Sequence, residues 1–342
     1  MTTESIFNES TILRAITVWI NDVELLNEDV MSVDMKWSFD GIAVVGKLLF
    51  KDTLEVASQK VFDGKTTVRI YVKDIYDEVF EKTFIVTDIN NQESGDRWKI
   101  YSLTLIDRIS FLLNNTYMSK GFNTDIVTAI DEVFTHLKIP DIMKEDKMEF
   151  IKGECKDISN IVIPQDRSLM EYFTDYLRYR GMRWWQTRSA FIIDKVVFNE
   201  LEPIKDDEDK PIIYSNATTN QEYGFRINDF STSYNDLLSM NDVRPVIKSY
   251  AYDFEKRSMQ LDALNLTDVY DTIKMNDQDC SNLQKTTGAR MDIQNSLNTD
   301  SQKLDIEDTY MINNILEIVV PGNFKYSRVG ELMHVALKGN PL

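Results

Sequence analysis

The chain has 342 residues, enough for two or three domains with cores of their own. Hydrophobic residues make up 43% and aromatic residues 11%, a globular composition that excludes wholesale disorder. The net charge of −18, from 56 acidic against 38 basic residues, gives a surface that repels nucleic acid unless basic residues concentrate locally.

No apolar run approaches the roughly 20 residues that cross a bilayer, so no membrane insertion is expected. The polar, acidic start MTTESIFNES does not read as a signal peptide. Cys155 and Cys280 lack C-x-x-C spacing and read as free thiols in a reducing compartment.

Thr11 to Leu26 predicts a strand and a tight Asn21-Asp22 hairpin turn. Met31, Val33, Met35, Trp37 and Phe39 alternate with polar residues, as in a half-buried strand. Asp40-Gly41 turns the chain into a strand over Val44 to Lys51. After a second turn at Asp63-Gly64, Val68, Ile70 and Val72 share one face, and Phe84 and Val86 begin another strand. The polar segment Asn90 to Asp96 reads as a loop. From Trp98 to Asp107, Tyr101, Leu103 and Leu105 alternate with Ile100, Ser102, Thr104 and Ile106. About six short strands with turn residues between them predict a closed or nearly closed antiparallel barrel. Gly64-Lys65-Thr66 is not a phosphate loop, because position 59, where that motif needs a glycine, is Gln59.

Asn123 is placed to cap a helix running through Leu137, with Ile126, Ile130, Val133, Phe134 and Leu137 on one face and Pro140 stopping it. The two histidines, His136 and His334, lie far apart, and neither has a second ligand nearby in sequence, so no metal site is predicted.

The most informative stretch runs from Asp166 to Asp194. Ser168 and Glu171 have capping-box spacing. Leu169, Tyr172, Phe173, Tyr176 and Leu177 form one apolar helical stripe, and Gly181 supplies the left-handed residue that ends the helix. Met182 to Gln186, a turn over Thr187 to Ser189, and Phe191 to Asp194 then predict a hairpin, in which one of Trp184 and Trp185 faces the core. Arg178, Arg180, Arg183 and Arg188 form the one basic cluster among aromatics. It reads as a solvated face or subunit contact rather than a site for nucleic acid. Glu200 to Lys210 is an acidic run without the glycine and spaced acids of a calcium loop, and reads as a solvated loop.

Phe225 to Tyr234 and Asp242 to Phe254 predict strands, with a turn at Lys256-Arg257-Ser258. Asp271 to Leu304 is polar with weak helical spacing at Ile293 and Leu297, and predicts surface helices or a flexible insertion. Ile315 to Val320 predicts a strand, Pro321-Gly322-Asn323 a turn, and Leu332 to Leu337 a strand after Gly330.

Taken together and in order, these motifs resemble the tail hub proteins of contractile-tailed phages, which are related to the N-terminal hub part of the type VI secretion valine-glycine repeat spike proteins. The resemblance rests on Leu169, Phe173, Leu177, Gly181, Trp184 and Trp185 in the middle, and on Val320, Pro321, Gly322, Asn323 and Gly330 near the end. The rhythm of Thr67 to Lys73, Phe84 to Ile89 and Tyr101 to Asp107 also matches the family's first domain. The plain alternatives are an amphipathic helix packed on a hairpin and an ordinary C-terminal hairpin.

The resemblance implies an α+β, mainly β fold, with two tube-protein-like antiparallel β-barrel domains around a central α/β domain. The implied domains are 1–115, 116–224 and 225–342, the last with a polar helical insertion at about 266–309. The family normally has a further hairpin where this sequence stops at Leu342, so the second barrel is expected to be open, completed by another chain, or shortened.

The implied function is that of a structural virion protein without catalysis, metal or cofactor. It would be a homotrimeric baseplate hub, assembled in the host cytoplasm, joining the hexameric tail tube to the trimeric central spike and lining the DNA channel. Its partners would be the tube protein, the spike and other baseplate proteins, without sequence-specific nucleic-acid binding. A spike hub of a type VI or phage-like injection machine is the near alternative. From other classes, a tail-tip carbohydrate-binding module would use Trp184 and Trp185 as its platform. A cell-wall hydrolase would need a carboxylate pair, but the sequence carries no H-E-x-x-H, G-x-S-x-G or Cys/His nucleophile pattern.

Overall fold

In a computed structural model, the chain is described at residues 13–39, 41–53, 55, 66–74, 77–94, 98–155, 159–195, 203–205, 209–216, 224–234, 246–253, 258–263, 291–294, 314–319, 329–330 and 333–337. The fold is α+β and mainly β.

The first seven strands are β1 (Leu13–Ile20), β2 (Val23–Glu24), β3 (Val30–Ser38), β4 (Gly41–Lys51), β5 (Thr67–Asp74), β6 (Val79–Ser94) and β7 (Trp98–Asp107). They form one antiparallel sheet in the order β2-β1-β5-β6-β7-β4-β3. Asn21 and Asp22 both adopt left-handed backbone, as the predicted β1–β2 turn requires. Alternation does the rest. Val68, Ile70, Val72, Phe80, Phe84, Tyr101, Leu103 and Leu105 are buried in one core, and their strand neighbours face the other way.

Three details depart from expectation. The sheet is open, not a closed barrel: among the described residues its edge strands β2 and β3 do not pair with each other. Met31 is exposed, because the β3–β4 register shifts between Val30 and Ser32 and turns it away from the core. Asn90 to Ser94 belongs to β6 rather than to a loop. Asn90 pairs with Ser102 and Ser94 with Trp98, in a polar hairpin arm held by ladder hydrogen bonds and therefore silent in hydrophobic periodicity.

The central elements are α1 (Arg108–Asn115), β8 (Lys120–Thr124), α2 (Ile126–His136), α3 (Ile139–Glu145), β9 (Glu149–Lys152), β10 (Ser159–Ile163), α4 (Leu169–Tyr179), β11 (Arg183–Gln186) and β12 (Ala190–Asp194). β8 and β10 form an antiparallel ribbon, and β11, β12 and β9 a three-stranded sheet in which β9 and β12 are parallel. Helix α1 was not expected. It begins at Asp107, the end of an alternating strand, and the strand rhythm masks the onset of Ile109, Leu112 and Leu113. The cap of α2 is Asp125 rather than Asn123: its carboxylate accepts from the Thr128 amide at 2.9 Å, while Asn123 pairs with Asn160 in the ribbon. Pro140 opens α3 instead of stopping a helix, since it sits in the first turn, where no amide is needed.

Helix α4 follows its sequence closely. Ser168 Oγ accepts from the Glu171 amide at 3.2 Å, Leu169, Phe173 and Leu177 are fully buried, and Gly181 is left-handed at φ 66°. Phe173 meets Trp184 edge-on at 6.0 Å, and Trp184 meets Phe191 the same way.

Towards the C-terminus the described residues form three small sheets. Strands β13 (Ile213–Ser215), β14 (Gly224–Arg226) and β20 (His334–Ala336) are parallel in the order β14-β13-β20. β15 (Asp229–Tyr234) pairs antiparallel with β19 (Asn314–Val319). β16 (Val246–Asp253) lies between β17 (Ser258–Ala263) and β18 (Met291–Gln294). The expected single antiparallel barrel is thus not present among the described residues. The strands expected on either side of Pro321-Gly322-Asn323 and Gly330 do not pair as a hairpin among the described residues: β19 joins β15, and β20 joins β13. Within the segment expected to be helical, Met291 to Gln294 is a strand, because parallel pairing to β16 overrides a weak helical spacing. Val320, Pro321, Gly322 and Asn323 lie outside the described residues, as does Cys280.

Candidate functional site

The chemistry-bearing residues of the described chain concentrate where the first sheet meets the central elements. Strand β6 presents Phe80, Lys82, Phe84 and Val86 on its core-facing row, and Lys82 is 1% exposed. Its ammonium donates to Gln186 Oε1 at 2.7 Å and to Met148 Sδ at 3.2 Å. Gln186, at the end of β11, donates through Nε2 to the Ile42 carbonyl at 2.5 Å and to Asp107 Oδ1 at 3.0 Å.

Asp107 is the hub of this network. Oδ1 caps α1 by accepting from the Ile109 and Ser110 amides at 3.1 and 3.0 Å, and Oδ2 accepts from the Val44 amide at 2.9 Å. One buried carboxylate therefore ties together β4, β7, α1 and β11. Beside it, Arg108 pairs with Asp146 at 2.8 Å and with Glu145 at 2.6 Å, both at the end of α3. The Thr83 amide donates to Asp146 as well, at 3.3 Å. At the rim, Lys147 pairs with Glu81 and Arg188 with Glu78, each at 2.8 Å.

Electrostatics follow from burial. Desolvation lowers the Lys82 pKa, and the opposing pull of Asp107 and Asp146 only partly compensates, with Arg108 lowering it further. Desolvation likewise raises the Asp146 carboxyl, against the attraction of Arg108 and Lys82. Buried Lys82 and half-buried Arg108 face two buried acids, Asp107 and Asp146, so the seam's charges balance.

Of the sequence-predicted motif residues, Leu169, Phe173, Leu177 and Trp184 belong to the central core. Trp184 Nε1 donates to Thr174 Oγ1 at 3.1 Å. Trp184 and Trp185 are both buried, at 2% and 6% exposure, rather than one facing solvent. All four residues of β11 are buried, because β4 covers the face that alternation would leave outside. Trp185 packs against Phe39 at 5.0 Å, and Arg183 lies over the same Phe39 ring at 5.1 Å. Gly330 joins this group from the far end of the chain, with φ +85° and both aromatic rings in contact range. The two stretches that carried the resemblance therefore meet in space.

The arginine cluster does not form one patch. Arg183 is buried, Arg188 pairs with Glu78 and Arg180 lies over the Tyr176 ring. Among the described residues, no group of three His, Cys, Asp or Glu is placed to hold a metal ion. In the acidic run, Lys205 pairs with Asp209 at 3.2 Å and Ile204 is buried. Lys82, Asp107 and Gln186 were not read as a site from the sequence. The available signal was a lysine at an inward position of an alternating strand, between Phe80 and Phe84.

This architecture, an open seven-stranded sheet joined to a helix-and-ribbon unit and followed by small β-sheets, is shared with two solved phage tail proteins. The chain is similar to the tail protein from Neisseria meningitidis MC58, at 12% identity over 94% of this chain and 86% of that one, with a TM-score of 0.60. It is similar as well to the 43 kDa tail protein of prophage MuSo2 from Shewanella oneidensis, at 13% identity, 94% and 87% coverage and a TM-score of 0.56. A chain of the Francisella PdpA–VgrG complex aligns over 83% of this chain and 44% of that one, at a TM-score of 0.47. No protein-family model and no curated protein sequence matches the chain.

Proposed function

We propose that the chain is a structural virion protein: a homotrimeric baseplate hub that joins a hexameric tail tube to a trimeric central spike and lines the DNA channel. The observation that carries this reading is structural likeness to two phage tail proteins across 94% of the chain. In the hub arrangement, three chains with two tube-like units each present six units to the tube while keeping threefold symmetry for the spike. The corresponding domains are 1–115, 116–224 and 225–342. The buried seam around Asp107 supports the reading, since a hub carries load between two assemblies and a rigid joint transmits it. The acidic balance of −18 supports a channel wall to which passing DNA does not adhere.

The role proposed for Leu169, Phe173, Leu177, Gly181, Trp184, Trp185 and Gly330 is structural, and Val320, Pro321, Gly322 and Asn323 are assigned to the same framework by resemblance. Catalysis has no part in the proposal. Burial of Trp184 and Trp185 removes the platform that a carbohydrate-binding module would need.

Native mass spectrometry of the chain, alone and mixed with its candidate spike protein, tests the proposal. A species near 119 kDa, three times 39.8 kDa, or three chains bound to a trimeric spike, is expected. A strictly monomeric chain that ignores the spike at high concentration overturns it.

A further inference from the structure

The β8–β10 ribbon has two very different faces. Phe122, Ile161 and Ile163 point into the central core and are buried. Gly121, Asn123, Asn160 and Val162 point the other way and are exposed. Val162, at 64%, is the most exposed large apolar side chain among the described residues, and its cross-strand partner is Gly121. Tyr117, 59% exposed, lies just ahead of β8.

Among the described residues, Gly121 has no packing task inside the chain. Its backbone is not left-handed, so any residue can adopt it. Beyond its chain neighbours, a Cβ built there meets among the described residues only the Ile161 carbonyl oxygen, at 4.0 Å. A glycine inside a strand costs roughly 0.5–1 kcal/mol relative to alanine. Glycine at such a position marks a bulge, a bend or the close approach of another backbone. The β8–β10 register is regular over all five pairs, which leaves the last.

Charge identifies the approaching chain. Residues 116–124 and 159–164 contain no Asp or Glu, in a protein with 56 of them. The one charge on the ribbon, Lys120, is paired with Glu132 at 3.5 Å. Two copies that each carry −18 repel one another over most of their surfaces, and least where the facing surface bears no acid. We propose that the outward face of the β8–β10 ribbon, centred on Gly121 and Val162, is a contact surface for a second copy of this chain. It rests on the trimeric reading above. In a threefold ring such a contact is head-to-tail, so this face meets a different surface of the neighbouring copy.

The test compares the full-length wild type with Gly121→Val and Val162→Asp, using analytical ultracentrifugation for association and thermal melting for the fold. Gly121→Val is expected to melt at or above the wild type, since the site is open and a β-branched residue suits a strand. Its self-association is expected to weaken at least tenfold, because the added side chain holds the neighbouring backbone away. Val162→Asp is expected to weaken association similarly by adding an acid to this acid-free face. A trimeric wild type whose two variants assemble equally well overturns the ribbon contact and leaves the hub reading standing. A Gly121→Val variant that melts below the wild type overturns it too, since the face would then be packed within the chain. A wild type that never associates overturns the hub reading itself and this contact with it.

Discussion

Gly330 lies against the indole of Trp185 so closely that a Cβ on the glycine would stand 3.1 Å from Nε1, and equally close to the Phe39 ring. Phe39 belongs to the turn between β3 and β4, Trp185 to β11, and Gly330 to the segment that leads into β20. Three parts of the chain remote in sequence are thus held at one aromatic contact. The glycine is required twice over, by its φ of +85° and by the missing space.

Gly330→Ala is therefore expected to destabilise by about 1–3 kcal/mol, from left-handed strain plus displacement of a packed ring. Urea unfolding followed by tryptophan fluorescence measures this. An unchanged midpoint would show that the segment carrying Gly330 shifts without penalty.

Lys82 and Gln186 provide a second test, because removing one partner differs from removing both. Lys82→Met leaves the Gln186 carbonyl oxygen buried beside an apolar side chain and is expected to cost about 1–3 kcal/mol. Lys82→Met with Gln186→Leu also takes the Gln186 amide away from the buried Ile42 carbonyl and from Asp107, and is expected to lose more than the single variant. Chemical denaturation of the three proteins checks the order. A double variant that loses no more than the single one would contradict the desolvation account.

The same lysine has a pH signature. Burial lowers its pKa below 10.5, so the folded protein releases this proton before the unfolded chain does. The cost of the buried charge is present below the folded pKa and disappears as pH rises from that value to 10.5. The wild type is expected to gain stability relative to Lys82→Met as pH climbs through this window. Parallel pH–stability curves for the two proteins would count against it.

Asp125 behaves in the opposite sense. Slight burial raises its pKa, but the hydrogen bonds from Thr128 outweigh that and the net shift is downward. Its stabilisation is present above the unfolded value of 3.8 and is lost as pH falls through the lower folded pKa. Asp125→Ala is expected to cost about 1 kcal/mol at neutral pH. Urea midpoints across the acid range should show the gap to the wild type closing as the carboxylate protonates.

Phe173 tests the central core. Its ring is fully buried and meets Trp184 edge-on, so Phe173→Ala is expected to cost about 3–5 kcal/mol. Tyr172→Ala, one position away on the half-buried flank, is expected to cost clearly less. Equal losses would mean that α4 does not pack as described.

Local rules made much of the chain legible. The stripe Leu169, Phe173 and Leu177, the cap at Ser168, the left-handed stop at Gly181, and the alternation of Val68, Ile70 and Val72 all depend on neighbours a few residues away. Periodicity and capping report such neighbours directly. The same rules misplaced the cap of α2, because Asn123 and Asp125 are both good caps and only ribbon pairing decides between them. They also missed α1, whose cap Asp107 ends a strand, and the polar arm of β6, whose pairing carries no apolar pattern.

The sequence by itself determined the strand rhythm of the first sheet, the helix α4 with its core stripe, and the order of motifs that resembles tail hub proteins. Tertiary structure alone decided that the first sheet stays open, that β19 and β20 join different sheets, and that both Trp184 and Trp185 are buried. It alone placed Lys82 against Gln186, and Gly330 against Trp185. Backbone ladders and side-chain contacts across long sequence separations are set by how whole elements pack, and no local pattern of residues encodes that packing.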